Sequence, residues 1–169
     1  MEHPAYPGLE LDEDMRATRR AWRVQRIGWV LLALFLLAGL LGLLGGNGPL
    51  QQASVASADG RVLVTYPRFD RYVAPSQLEV RIEPAALPGG SVELALSRRW
   101  VDVFELYGIS PTPDRERADG ADIVYRFSTT PGQPLEIGFF GRPHHVGPLP
   151  GSLAVAGGER LSFSTFVLP

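Results

Sequence analysis

The chain has 169 residues, with 16 arginines, no lysine, 18 acidic side chains and a net charge of −2. Lacking a basic excess, it has no electrostatic footprint for a nucleic-acid backbone. Lacking cysteine, it forms no disulfide and has neither thiol chemistry nor a lipid-modified cysteine anchor, so any exported domain must fold on its own core.

The first 26 residues are neutral overall but ordered in charge. Glu2, Glu10, Asp12, Glu13 and Asp14 precede Arg16, Arg19, Arg20, Arg23 and Arg26. Asp12 is placed to cap a helix whose first turn holds Glu13 and Asp14, and it stands four residues from Arg16. This order predicts a helix from about residue 12 to about 45. Its first turns belong to a juxtamembrane arm, 1–26, that contacts anionic lipid.

From Ile27 to Leu44 run 18 residues, IGWVLLALFLLAGLLGLL, without a charge, an amide or a hydroxyl. At about 1.5 Å per residue such a helix nearly spans a hydrocarbon core about 30 Å thick, and Gly45 and Gly46 lengthen it. A soluble core helix is seldom this long without a polar break. A cleaved signal has a shorter apolar core close to its start, with a small-x-small site directly behind it. Here 26 residues precede the run, and Ala56-Ser57-Ala58 lies well beyond it. The expectation is one uncleaved transmembrane helix over 27–46. The basic cluster stands before it and the next cation is Arg61. The positive-inside rule therefore puts the amino terminus in the cytoplasm and the remainder in the periplasm or outside the cell, the membrane being a bacterial inner membrane. Trp22 and Trp29 fall near the inner headgroups. Ala38, Gly42 and Gly46 recur at four-residue steps with Gly39 beside them, a face on which an integral membrane partner or a second copy can pack closely.

After the helix, 47–58 is rich in glycine, serine and glutamine and reads as a linker, or as a linker ending in an edge strand at Ala53 to Ala58. Residues 59–169 are of ordinary single-domain size. Period-two alternation predicts strands at Val62 to Tyr66, Leu78 to Ile82, Val92 to Leu96, Trp100 to Leu106, Ile123 to Ser128, Leu135 to Phe139, Ser152 to Ala156 and Leu161 to Leu168. Pro88-Gly89-Gly90 makes the segments on either side candidate hairpin partners. Gly108 to Gly120 reads as a surface loop with a solvated charged face. Seven or eight short strands predict an antiparallel β-sandwich, immunoglobulin- or fibronectin-like, with a small closed barrel as the alternative. The last strand is structural.

No catalytic or metal-binding constellation emerges, and no cofactor is expected. His3 lies across the membrane from His144 and His145, and two adjacent loop histidines fall short of a metal ligand set. Ser91, Ser97 and Ser110 have no nucleophile-elbow context, and Asp102 with Glu105 has no evident general-acid role. From Asp59 onward, 13 acidic residues against 11 arginines again disfavour nucleic acid. Two segments look like partner surface because proline-held aromatic and arginine side chains lose little entropy on docking. One contains Tyr66, Arg68, Phe69 and Tyr72; the other contains Phe140, Arg142, His144 and His145. The expected function is a noncatalytic accessory or assembly subunit of an inner-membrane complex. The alternative is a membrane-anchored module that binds or senses a ligand outside the cytoplasm.

Overall fold

The computed structural model describes residues 15–41, 51–87 and 89–169, with the backbone alone for 15–19. They fall in two compact units, one of them the helical N-terminal part and the other a β domain.

Helix α1 spans Met15–Leu40. It contains no proline, and its leucines and alanines are strong helix formers. Arg26 lies one turn beyond Trp22 and places its guanidinium 4.4 Å from the indole centroid. An apolar stretch, Arg20–Leu40, is long enough to cross a membrane, and none of it is buried within the chain. The Asp12 cap and the helical continuation through Gly42 and Gly46 lie outside the described residues.

Among the described residues the β domain contains eleven strands: β1 Gln52–Ala56, β2 Val62–Pro67, β3 Phe69–Arg71, β4 Ser76–Ile82, β5 Ser91–Ser97, β6 Phe104–Ser110, β7 Arg115–Asp119, β8 Asp122–Ser128, β9 Leu135–Pro143, β10 Gly147–Val155 and β11 Arg160–Leu168. They form two sheets, ordered β1-β2-β4-β9-β6 and β3-β11-β10-β5-β8-β7. All pairs are antiparallel except β3 with β11. Val64, Val80, Ile137 and Phe139 of the first sheet share one core with Leu94, Phe127, Leu153 and Phe163 of the second. Two sheets packed on a common core make a β-sandwich, and their separate edges rule out the closed barrel.

The expectation of two packed, mainly antiparallel sheets thus holds. Eleven strands with one parallel pair exceed both the expected seven or eight and the seven-strand order of immunoglobulin constant domains. The additional members are short, like β3, or exposed, like β7, whose five residues are all exposed. The polar stretch expected as a loop between Gly108 and Gly120 therefore holds the end of β6 and the whole of β7. A strand with no buried face gives no alternation for a sequence reading to detect. β1 realises the edge-strand version of the linker.

Two further expectations are corrected. The segments β4 and β5 are not hairpin partners but belong to different sheets. Their connection includes a 3-10 turn at Pro84–Ala86, and its Ala86 and Leu87 pack against the core, so the chain crosses the sandwich end instead of folding back. The expected strand from Trp100 begins as helix α2, Arg98–Val103. Trp100 and Phe104 stand four residues apart, a spacing that fits one helix face as well as one strand face. Their rings stack with centroids 4.3 Å apart. Gly141 and Gly151 make room for this aromatic pair. A Cβ at Gly151 would lie 2.5 Å from the Phe163 ring, and one at Gly141 would collide with Phe104.

Candidate partner surface

The chain leaves β2 and crosses to the second sheet at Arg68, whose N–H donates to the Gln51 carbonyl while its own carbonyl accepts from Phe166 N–H. After β3 it turns through Arg71-Tyr72-Val73-Ala74, closed by Ala74 N–H to the Arg71 carbonyl at 3.1 Å. Val73 sits in this turn at φ 59°, a left-handed conformation that a β-branched side chain adopts only under constraint. The constraint is visible: Tyr72 N–H donates to Leu168 and Val73 N–H to Pro143, at 2.8 and 2.9 Å. The residue after Pro143, His144, donates its own N–H to the Val103 carbonyl at 2.9 Å.

These bonds join the two segments singled out from sequence. The Tyr72 and His144 rings meet edge to face with centroids 6.0 Å apart. His144 Nε2 lies 2.7 Å from Glu105 Oε2. Glu105 stands opposite Arg142 in the β6–β9 register, and the Arg142 guanidinium is 5.6 Å from the Tyr107 centroid. Tyr72, His144, Glu105, Arg142 and Tyr107 thus form a chain of exposed side chains along one rim of the sandwich. Tyr72 and Tyr107 are 49% and 58% exposed. The His144–Glu105 pair is also open to solvent, so it orders the rim more than it stabilises the domain.

The remaining sequence candidates lie elsewhere. Tyr66 is half-buried, with its ring 5.5 Å from that of Phe163, and Phe69 is half-buried in β3 opposite Phe166. Arg68 and His145 are exposed. Phe140 lies on the outer face of the first sheet with its ring against Gly138, where an added Cβ would come within 3.0 Å of it. On α1, Arg20, Trp22, Arg23, Arg26, Trp29 and Gly39 are exposed and Ala38 is half-exposed. Arg16 and Arg19 belong to the same helix, while Gly42 and Gly46 lie outside the described residues. Among the described residues no group of three or more His, Cys, Asp or Glu side chains is arranged to hold a metal.

The sequence reading missed Val73, Glu105 and Tyr107 of the rim, and it missed a polar group inside the domain. Asp70 and Thr165 are 7% and 6% exposed and line a cavity of about 10 Å³ together with Trp100. The Trp100 indole N–H is buried with no acceptor among the described residues. Burial pushes the Asp70 carboxyl above its ordinary range, opposed by hydrogen bonds from the Ser76 hydroxyl and the Arg71 N–H. The cavity is small and lies beside Asp70, Ser76 and Thr165. It adjoins an outer groove of about 150 Å³, which Asp70 and Ser76 also line, with Gln52, Gln77 and Glu79. The tyrosine-proline-arginine run at Tyr66 was the only sequence signal near it.

Comparison with known proteins adds little. No protein-family model and no curated protein matches the sequence. Among solved structures, the chain is similar to a cohesin module from a Clostridium perfringens family 33 glycoside hydrolase. The identity is 12%, the TM-score 0.43, and the overlap covers 68% of this chain and 98% of the module. An overlap that loose transfers neither strand order nor activity.

Proposed function

We propose that the chain is a noncatalytic, single-pass accessory or assembly subunit of a bacterial inner-membrane protein complex. One observation carries the reading: the apolar stretch Arg20–Leu40 of α1 has no cover from the chain's own described residues. A bilayer covers such a surface, and a helix satisfies its backbone there internally. In this reading residues 1–26 stay in the cytoplasm behind Arg16, Arg19, Arg20, Arg23 and Arg26. The helix is an uncleaved anchor, and everything from about residue 47 lies in the periplasm or outside the cell. Ala38, Gly39, Gly42 and Gly46 pack against an integral membrane protein or a second copy. The rim of Tyr72, Tyr107, Arg142 and His144 contacts the partner's outer part, with tyrosine and arginine as anchors.

Gentle purification from native membranes, with mass spectrometry of the accompanying chains, tests this proposal. The expected result is a stoichiometric integral membrane partner whose recovery falls when Tyr72 and Arg142 are both replaced by alanine. A monomer that brings no stoichiometric partner with it contradicts the reading.

A second reading, an anchored ligand-binding or sensing module, is favoured by the groove over buried Asp70 and the unpartnered Trp100 N–H. It predicts that a small polar solute raises the unfolding temperature of the sandwich and that Asp70→Asn abolishes the rise.

A further inference from the structure

The turn that presents Tyr72 at the rim is strained. Val73 is β-branched and holds φ 59°, an angle that such a side chain leaves unless its surroundings keep it there. Backbone bonds tie the turn to Leu168 and Pro143 on its outer side. A second restraint comes from inside the domain. Asp70, immediately before the turn, accepts from the Arg71 N–H at 2.8 Å and from the Ser76 hydroxyl. Its carboxyl thus holds the first residue of the turn and the first residue of β4, and brackets 71–75 at both ends. Pro75 has no N–H to offer at the far end, and the Ser76 hydroxyl takes that place.

The fold gains nothing else from a carboxyl at this position. Asp70 lies opposite Val167 of β11 and carries the only buried carboxyl among the described residues. No arginine or histidine lines its cavity or the groove outside it, so no ion pair offsets its lost hydration. Burial accordingly pushes the carboxyl up. A small apolar side chain would fill the place without that penalty. What it could not supply is the pair of hydrogen bonds to the two ends of the turn.

We propose that Asp70 is a positioning residue for the rim: it holds turn 71–75 closed against the preference of Val73, so that Tyr72 meets a partner already in its docking geometry. A group ordered beforehand loses less freedom when it binds. The proposal rests on the reading of the rim as a partner surface, whereas the clamp itself is measurable without a partner.

Amide exchange of the full chain in mild detergent, read by mass spectrometry, tests the clamp. Asp70→Ala removes both hydrogen bonds and should lower the protection of Tyr72, Val73 and Ala74 about tenfold or more, with little change over 78–82 of β4. Asp70→Asn keeps an acceptor and should retain most of that protection. Asparagine tolerates the left-handed angle, so Val73→Asn alone should raise protection of the turn, and in the Asp70→Ala background it should restore what was lost. An unchanged turn in Asp70→Ala, a loss spread evenly over the domain, or a Val73→Asn turn no better protected overturns the proposal. Purification from native membranes then separates the two readings. Recovery of the partner should fall with Asp70→Ala and return in the double variant. Undiminished recovery by an Asp70→Ala chain with a loosened turn overturns the positioning role and leaves the partner surface standing. An unaltered chain that brings no partner overturns both, even with the clamp intact.

Discussion

Leucine is treated in opposite ways in the two units of this protein. Leu31 and Leu34 of α1 are 61% and 56% exposed, whereas Leu94 and Leu153 of the sandwich are fully enclosed. Both sets obey the same preference for leaving water, worth about 1.5–3 kcal/mol for a fully buried side chain. The sandwich meets that preference internally, by facing two sheets. Among the described residues the helix has no such internal partner. The lesson is that hydrophobicity in this chain has two destinations, and only the alternating kind builds the folded domain.

Several changes should separate those destinations. The largest effect is expected from deleting Ser162–Pro169. This removes most of β11, which lies between β3 and β10 and supplies Phe163, Thr165 and Val167 to the interior. The β domain should lose its cooperative unfolding transition by circular dichroism, while the chain still sediments with membranes. Next, Phe139→Ala opens a cavity at a fully buried position and should cost about 3–5 kcal/mol of domain stability. Phe35→Ala, at an exposed helix position, should leave the same denaturation curve in place. The reverse contrast comes from Leu34→Arg, which should disfavour membrane insertion by about 2.5–3.5 kcal/mol and leave the unfolding midpoint of the sandwich unchanged.

The smallest effect concerns Asp70, a polar exception inside the enclosed unit. Its carboxyl is raised by burial, so the fold favours the neutral form. The stability it contributes is complete below its unfolded value and is lost as pH rises through its folded value. Asp122 runs the other way. Its hydrogen bond from Arg160 lowers it, and its contribution is complete above the unfolded value and lost as pH falls through the folded one. Asp70→Asn should therefore flatten the decline in unfolding temperature on going from mild acid toward neutral pH, and Asp122→Asn should flatten the fall toward strong acid. Thermal scans across that range compare the two slopes.

Much of this arrangement is legible in the sequence because it is local. The run from Ile27 to Leu44 declares itself by length, and β4, β5 and β11 declare themselves by strict alternation of Leu, Val, Ile and Phe with polar residues. What failed depended on distant contacts or ambiguous spacing. The Trp100 and Phe104 pair satisfies two periodicities, and only its packing against Phe163 and the turn of α2 decides between them. β7 has no buried face, so its strand conformation comes from pairing with β8 and not from its own side chains. The division of β4 and β5 between sheets is set by their partners β9 and β8. The rim was half legible: Tyr72, Arg142 and His144 stood out by composition. Glu105 and Tyr107 join them only because β6 lies beside β9, and Val73 is notable only for its backbone angle.

The proposed function requires α1 to be an uncleaved anchor with the sandwich on the far side of the membrane. Protease treatment of intact spheroplasts, with the full chain tagged at both ends, tests it most directly. The account predicts an untreated chain of full length, loss of the tag after Pro169, and retention of the tag before Met1 on a membrane-bound fragment. A carboxyl-terminal tag that survives protease, or a chain already shortened before protease is added, contradicts it.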